Sequence, residues 1–134
     1  MKKTDLAYIA GLIDGEGCIH ATTVKYAGRA SAIQVTITTT YKPVLEFVQS
    51  IFGGKIYNNQ TRDKPFWKPI YRWTIYGEKA IPVLQSVKPF LIIKRGQAEI
   101  ALRILASRRF HSRYTPMEKF LREADALAMR ELNR

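Results

Sequence analysis

Apolar positions change period repeatedly along the chain, and each change predicts an element. Leu6 to Ile13 has apolar residues at helical spacing, with Thr4 or Asp5 as N-cap candidates and Gly15 and Gly17 placed to end the helix. Beyond these glycines the residues become β-branched. Residues 18–25 and 30–39 flank Tyr26-Ala27-Gly28-Arg29, the pattern of a hairpin with a glycine-containing turn. In the second of these strands Ile33, Val35 and Ile37 alternate with Gln34, Thr36 and Thr38, so one face is apolar and the other polar.

Val44, Phe47, Val48 and Ile51 then fall on one helical stripe, predicting a helix over 42–52 with Pro43 in its first turn and Gly53-Gly54 past its end. A second hairpin follows: residues 55–59, a basic loop over 60–68, and a return strand over 70–76. In that strand Tyr71, Trp73 and Ile75 share one face, and Ile70, Arg72 and Thr74 the other. A short helix is expected over 79–87 and a longer amphipathic one over 92–109. Thr115-Pro116-Met117-Glu118 reads as a capping box opening a last helix to about Leu132. This order suits a single α+β domain over residues 1–134, with a four-stranded antiparallel sheet and helices on one face.

Charge sharpens the picture. The chain has 134 residues, 22 basic and 11 acidic, for a net charge of +11. The surplus sits in the middle: from Gly17 to Gly77 there are two acids against eight bases, Lys25, Arg29, Lys42, Lys55, Arg62, Lys64, Lys68 and Arg72. Such an excess points to a polyanion, most often nucleic acid. One cysteine and two histidines exclude a four-ligand zinc site and an internal disulfide. No apolar run reaches the roughly 20 residues of a membrane-spanning helix, and no signal peptide is evident, so an intracellular protein without membrane partners is expected.

The candidate chemistry lies in Ile9-Ala10-Gly11-Leu12-Ile13-Asp14-Gly15-Glu16-Gly17. Ala7, Ala10, Gly11 and Asp14 form a stripe of small residues that would let a second helix approach closely. Glu16 stands at a helix C-terminus, the negative end of the dipole, where a carboxylate is unfavourable unless a cation sits beside it. Glu16 with the Gly15 carbonyl is therefore a candidate hard-oxygen site for a cation such as Mg²⁺. A helix end with two solvated acids is the alternative.

This nonapeptide resembles the signature of the LAGLIDADG homing endonucleases, and the hairpin–helix–hairpin order resembles their αββαββα core. The segment Lys88-Pro89-Phe90-Leu91-Ile92-Ile93-Lys94-Arg95-Gly96-Gln97-Ala98 is similar to the PFL-x-x-K-x-x-QA run of the single-motif, homodimeric branch. The resemblance spans about residues 5 to 110. It implies that the motif helix forms a subunit interface through Ala7, Ala10, Gly11 and Asp14, with Asp14 helping to terminate and pair the helices. Glu16 and the Gly15 carbonyl would bind Mg²⁺ or Mn²⁺, and Lys94 would be a second catalytic residue near the scissile phosphate. Some relatives have a glutamine and an arginine where this chain has Ile37 or Thr38, and Tyr41 or Lys42, a departure that leaves the rest of the pocket open.

On this resemblance the sheet would lie along a DNA major groove. His20, Thr22, Gln34, Thr36, Thr38, Lys55, Tyr57, Asn59, Arg72 and Thr74 would face the bases, and Lys25, Arg29, Arg62, Lys64 and Lys68 the phosphates. Eight strand residues span roughly 26 Å, about 8 base pairs, so two subunits would read about 16. The implied function is an intron-encoded endonuclease that breaks both strands of double-stranded DNA at an intron-insertion site. An RNA-binding maturase acting on its own intron RNA, or a non-cleaving DNA-binding regulator, are the alternatives; neither needs Glu16.

Overall fold

The computed structural model describes residues 2–22, 32–59, 66–107 and 114–134. The chain runs α1 (Lys3–Glu16), β1 (Gly17–Thr22), β2 (Ala32–Thr39), α2 (Lys42–Phe52), β3 (Lys55–Asn58), β4 (Tyr71–Tyr76), α3 (Ala80–Val87), α4 (Arg95–Ala106) and α5 (Pro116–Leu132), with 3₁₀ turns at Gly77–Lys79 and Lys88–Phe90. The strands form one antiparallel sheet in the order β1-β2-β4-β3. All five helices lie on its apolar face. This is the α+β core with extra C-terminal helices that the pattern predicts.

Strand alternation sets the two faces. Ile19, Ile33, Val35, Ile37, Trp73 and Ile75 point under the helices and are buried with Ile9, Ile13, Leu45, Val83, Leu84 and Leu91. Trp73 anchors this layer: its indole Nε1 donates to the Gly53 carbonyl at 2.7 Å. Gly54, at φ +90°, lets the backbone pass the ring, since a Cβ there would lie 2.6 Å from Trp73 Nε1.

Helix α2 has the predicted bounds, and α5 opens as expected. The Glu118 amide donates to Thr115 Oγ1 at 3.2 Å, and that hydroxyl donates to the Glu118 carboxylate at 3.1 Å. Two faces of α5 are apolar at helical spacing. Ala126 and Met129 pack inward beside Arg122, whose guanidinium donates to the Ile104 carbonyl and Ser107 Oγ at the end of α4. Met117, Phe120, Leu121 and Leu127 face solvent.

Helix α1 departs from expectation at both ends. It starts at Lys3 with Lys2 as an N-cap that makes no side-chain bond, so neither Thr4 nor Asp5 caps it. At the other end it runs through Gly15 to Glu16, and the Gly17 amide closes it by donating to the Ile13 carbonyl. Asp14 therefore does not terminate the helix. Gly17 is required for space: a Cβ there would lie 2.9 Å from both the Ile13 Cα and the Thr36 carbonyl oxygen. Because both neighbours are backbone, Gly17→Ala is expected to destabilise the fold by about 2 kcal/mol, measured by urea unfolding.

Candidate functional site

The end of α1 is built from three polar residues with separate duties. Asp14 is half-buried, and its carboxylate accepts from the backbone amides of Ile92 (2.8 Å) and Ile93 (3.2 Å) through Oδ2 and of Lys94 (2.9 Å) through Oδ1. Burial pushes this carboxyl up, but the amides of Ile92, Lys94 and Ile93 and the Lys94 ammonium outweigh it and hold the group below the usual aspartate value. These contacts explain why α4 begins at Arg95 rather than at Ile92, since the preceding amides turn toward Asp14 instead of entering the helix.

Lys94 closes the arrangement. Its Nζ donates to the carbonyls of Asp14 (2.8 Å) and Ile13 (3.0 Å), placing a half-buried cation on the negative end of α1. The cation that the position of Glu16 calls for is thus partly supplied by the chain itself. Nearby, burial raises the Cys18 thiol, with Lys94 pulling it back only in part, so Cys18 is a neutral thiol in a strand.

Glu16 differs from its neighbours. It is exposed at the tip of the helix, where the sheet begins. Among the described residues no cluster of three or more His, Cys, Asp or Glu side chains could hold a metal ion. One chain thus offers a single open carboxylate and the adjoining Gly15 carbonyl, a donor set that fits a hard cation keeping several waters and sharing phosphate oxygens rather than an all-protein cage.

Along the exposed face of α1, Ala7 and Gly11 lie open to solvent, and neither Gly11 nor Gly15 has any atom within 4 Å of where a Cβ would stand. Ala10, assigned to the same stripe, is instead fully buried in the core. Its position one residue before Gly11 turns it by about 100° toward the sheet, so it is not available to a second helix. Sequence reasoning missed Ile92 and Ile93, which are 86% and 69% exposed although their amides are tied to Asp14. Two apolar side chains in water next to the motif helix were a signal that the PFL run contained.

The open face of the sheet is polar. His20 faces Gln34, Gln34 faces Tyr76, Thr38 faces Arg72, and Arg72 faces Tyr57 across the strands. Lys55, Tyr57, Asn59, Lys68 and Arg72 are exposed, while His20, Gln34 and Thr38 are partly so; Thr22 closes β1. Thr36 and Thr74 face each other on the two central strands but are buried, Thr74 to 2%. So buried, neither side chain is open to a ligand, contrary to the expectation for the polar face. Tyr76, half exposed, continues the alternation of Arg72 and Thr74 on this face, a place that the strand period alone gives. Lys25, Arg29, Arg62 and Lys64 lie outside the described residues.

A family model for LAGLIDADG endonucleases matches residues 9–93 of this chain. The chain belongs to the LAGLIDADG endonuclease family. No curated protein sequence matches it. Among solved structures, the homing endonuclease I-CvuI in complex with its target in the presence of 2 mM Ca is similar at a TM-score of 0.80 and 22% identity, over 97% of this chain and 82% of that one. The archaeal intron-encoded homing endonuclease I-Vdi141I, complexed with DNA, is similar at 0.75 and 17%, over 100% and 87%. The homing endonuclease I-TnaI is similar at 0.65 and 19%, over 100% and 95%. At these identities the structures attest the fold. In this LAGLIDADG chain the motif is Ile9–Gly17, with Glu16 at its last acidic position. No helix among the described residues is long and apolar enough to cross a membrane.

Proposed function

We propose that this chain works as a homodimer that cuts both strands of a long, specific double-stranded DNA site of the kind an intron inserts into, using Mg²⁺ or Mn²⁺ held at Glu16. The observation that carries the reading is the exposed Glu16 carboxylate at the tip of the motif helix, beside a polar, basic sheet face and with its neighbour Asp14 already committed to three amides. An intron-RNA maturase or a DNA-binding regulator would have no use for that open acid.

One carboxylate per chain supports a site shared by two copies. The open Ala7 and Gly11 face of α1 gives the close approach, and the exposed Ile92 and Ile93 extend the same contact. A bound divalent cation would supply activation of water and neutralisation of the leaving oxygen. This chain's own residues do the rest. Glu16 contributes the negative charge that holds the cation, and Lys94 and Asp14 fix the helix end that aims it. Lys94 is in this respect a positioning residue, its ammonium on carbonyls rather than free in a pocket. Gln34, Thr38, Lys55, Tyr57, Arg72 and Tyr76 present donors and acceptors to base edges, and Lys68 meets phosphates.

The testing experiment is cleavage of a randomised plasmid library, with the assembly measured by sedimentation. Linear product is expected in Mg²⁺, lost in EDTA and restored by added Mg²⁺. Cutting that persists in EDTA would remove the metal from the reading. A dimer is expected at micromolar concentration, with Ile93→Asp shifting it toward monomer; a monomer that cuts both strands by itself would defeat the shared site. Duplex binding should also weaken steeply with salt, with a log–log slope steeper than about −5 for the dimer, because several basic side chains per subunit displace counterions. A slope near −1 would place the charge elsewhere than on the DNA.

A further inference from the structure

In the stretch that leads into β4, Phe66 is 97% exposed and Trp67 59% exposed. A phenyl ring so exposed contacts almost nothing in its own chain and contributes nothing to the core. The two aromatics lie within Lys64-Pro65-Phe66-Trp67-Lys68-Pro69, with a lysine and a proline on either side. Pro69 lacks an amide and fixes its own φ, which restricts the segment just before the ladder resumes. That ladder is closed by the Asn59 amide donating to the Ile70 carbonyl at 2.7 Å.

The register shows where this stretch stands. Gly17, the residue after Glu16, pairs with Ile37, which pairs with Trp73, which pairs with Ile56. From that row β1 runs away from Glu16, whereas β4 is entered from Ile70 and β3 leaves through Asn58. The stretch that leads into β4 and the Glu16 carboxylate therefore share one end of the sheet. Their strands are two to three spacings apart, about 10–14 Å, comparable to the rise of three or four base pairs at roughly 3.4 Å each.

We propose that Phe66 and Trp67 form an aromatic wedge that packs against an opened base step of the target duplex, a few base pairs from where Glu16 acts. The inference rests on the DNA-endonuclease reading and adds to it a contact that no polar strand residue provides. Lys68 beside the rings, exposed like them, supplies a phosphate contact that seats an apolar insertion. Rings inserted at a base step kink and partly unstack the duplex, and their selectivity comes from how easily a step deforms, with pyrimidine–purine steps the most yielding. The wedge accordingly favours flexible steps near the cut without reading any base by hydrogen bonds.

The two tryptophans make this measurable, because Trp73 is fully buried and silent to solvent while Trp67 is open. The probe is a 40-base-pair duplex carrying a site recovered by cleavage from the randomised library. In the complex, emission from Trp67 is expected to be quenched by stacking and protected from acrylamide, and Trp67→Phe is expected to abolish both changes. Phe66→Ala and Trp67→Ala are each expected to weaken duplex binding about tenfold with an unchanged melting temperature. Unchanged Trp67 emission and acrylamide access in a complex that a gel shift shows to be formed would overturn the wedge, as would alanine variants that bind as tightly as the parent. A library that yields no cleaved or bound site would overturn the endonuclease reading, and the wedge with it.

Discussion

Replacing Glu16 with glutamine is expected to lower DNA cleavage by several orders of magnitude while leaving fold, assembly and duplex binding in place. Glutamine keeps the size of the side chain and one acceptor oxygen but loses the charge that makes a hard-cation site. Without that cation the attacking water is not activated and the leaving oxygen not neutralised. Folding should not suffer, because Glu16 is exposed and its charge sits at the negative end of α1, where neutralisation is mildly favourable. Binding may be followed by gel shift in Ca²⁺ and cleavage by plasmid linearisation in Mg²⁺. Glu46→Gln, an equally exposed acid on α2, is the control and should cut normally. A Glu16→Gln protein that cuts at a near-normal rate would show that the active site is elsewhere; one that unfolds or dissociates would make Glu16 a structural residue.

Asp14→Ala is expected to act in the opposite way, through the fold. It strips three amides of a charged acceptor and leaves Lys94 Nζ on two carbonyls without the Asp14 charge beside it. Hydrogen bonds to a charged group are worth about 1.5–3 kcal/mol each, and three that share one partly solvated carboxylate should together account for about 3 kcal/mol. The pH dependence follows from the lowered Asp14 value. The folded group binds its proton less readily than the unfolded one, so its stabilisation is complete above the unfolded aspartate pKa of about 3.9 and is lost as pH falls from there through the folded value. The gap between parent and variant in chemical unfolding should therefore be widest at pH 7 and narrow as pH falls below about 4. A constant gap across that range would mean that Asp14 stabilises by packing rather than by charge.

What the sequence disclosed, and what it hid, follows from the range of the interactions involved. Strand alternation is local, so Ile33, Val35 and Ile37 identified the buried face correctly. The Thr115–Glu118 capping box and the stripe of α2 are local too, and those elements appear where expected. The partners of Asp14 lie 78 to 80 residues away, and nothing near Asp14 announces them. The same holds for Lys94, whose reach back to the α1 carbonyls spans 80 and 81 residues of sequence. Alternation also could not foresee that Thr36 and Thr74, correctly placed on the polar face, would be buried there. Ala10 failed for a related reason: small size suggests a helix contact but does not say with which neighbour.

The clamp between α1 and the segment before α4 also bears on engineering. A genome-targeting tool built on this chain would need a form that finds its site without cutting, and a nickase would need one silent half in a pair. Asp14 and Lys94 are poor choices for the silencing change, since losing either loosens the joint between the end of α1 and residues 92–94, and a dead protein would then be indistinguishable from a damaged one. Glu16 is exposed at that helix end, and it is Asp14 and Lys94 whose bonds join α1 to the segment before α4. On the proposed reading it is a switch to be turned off with the wall it is mounted on left standing.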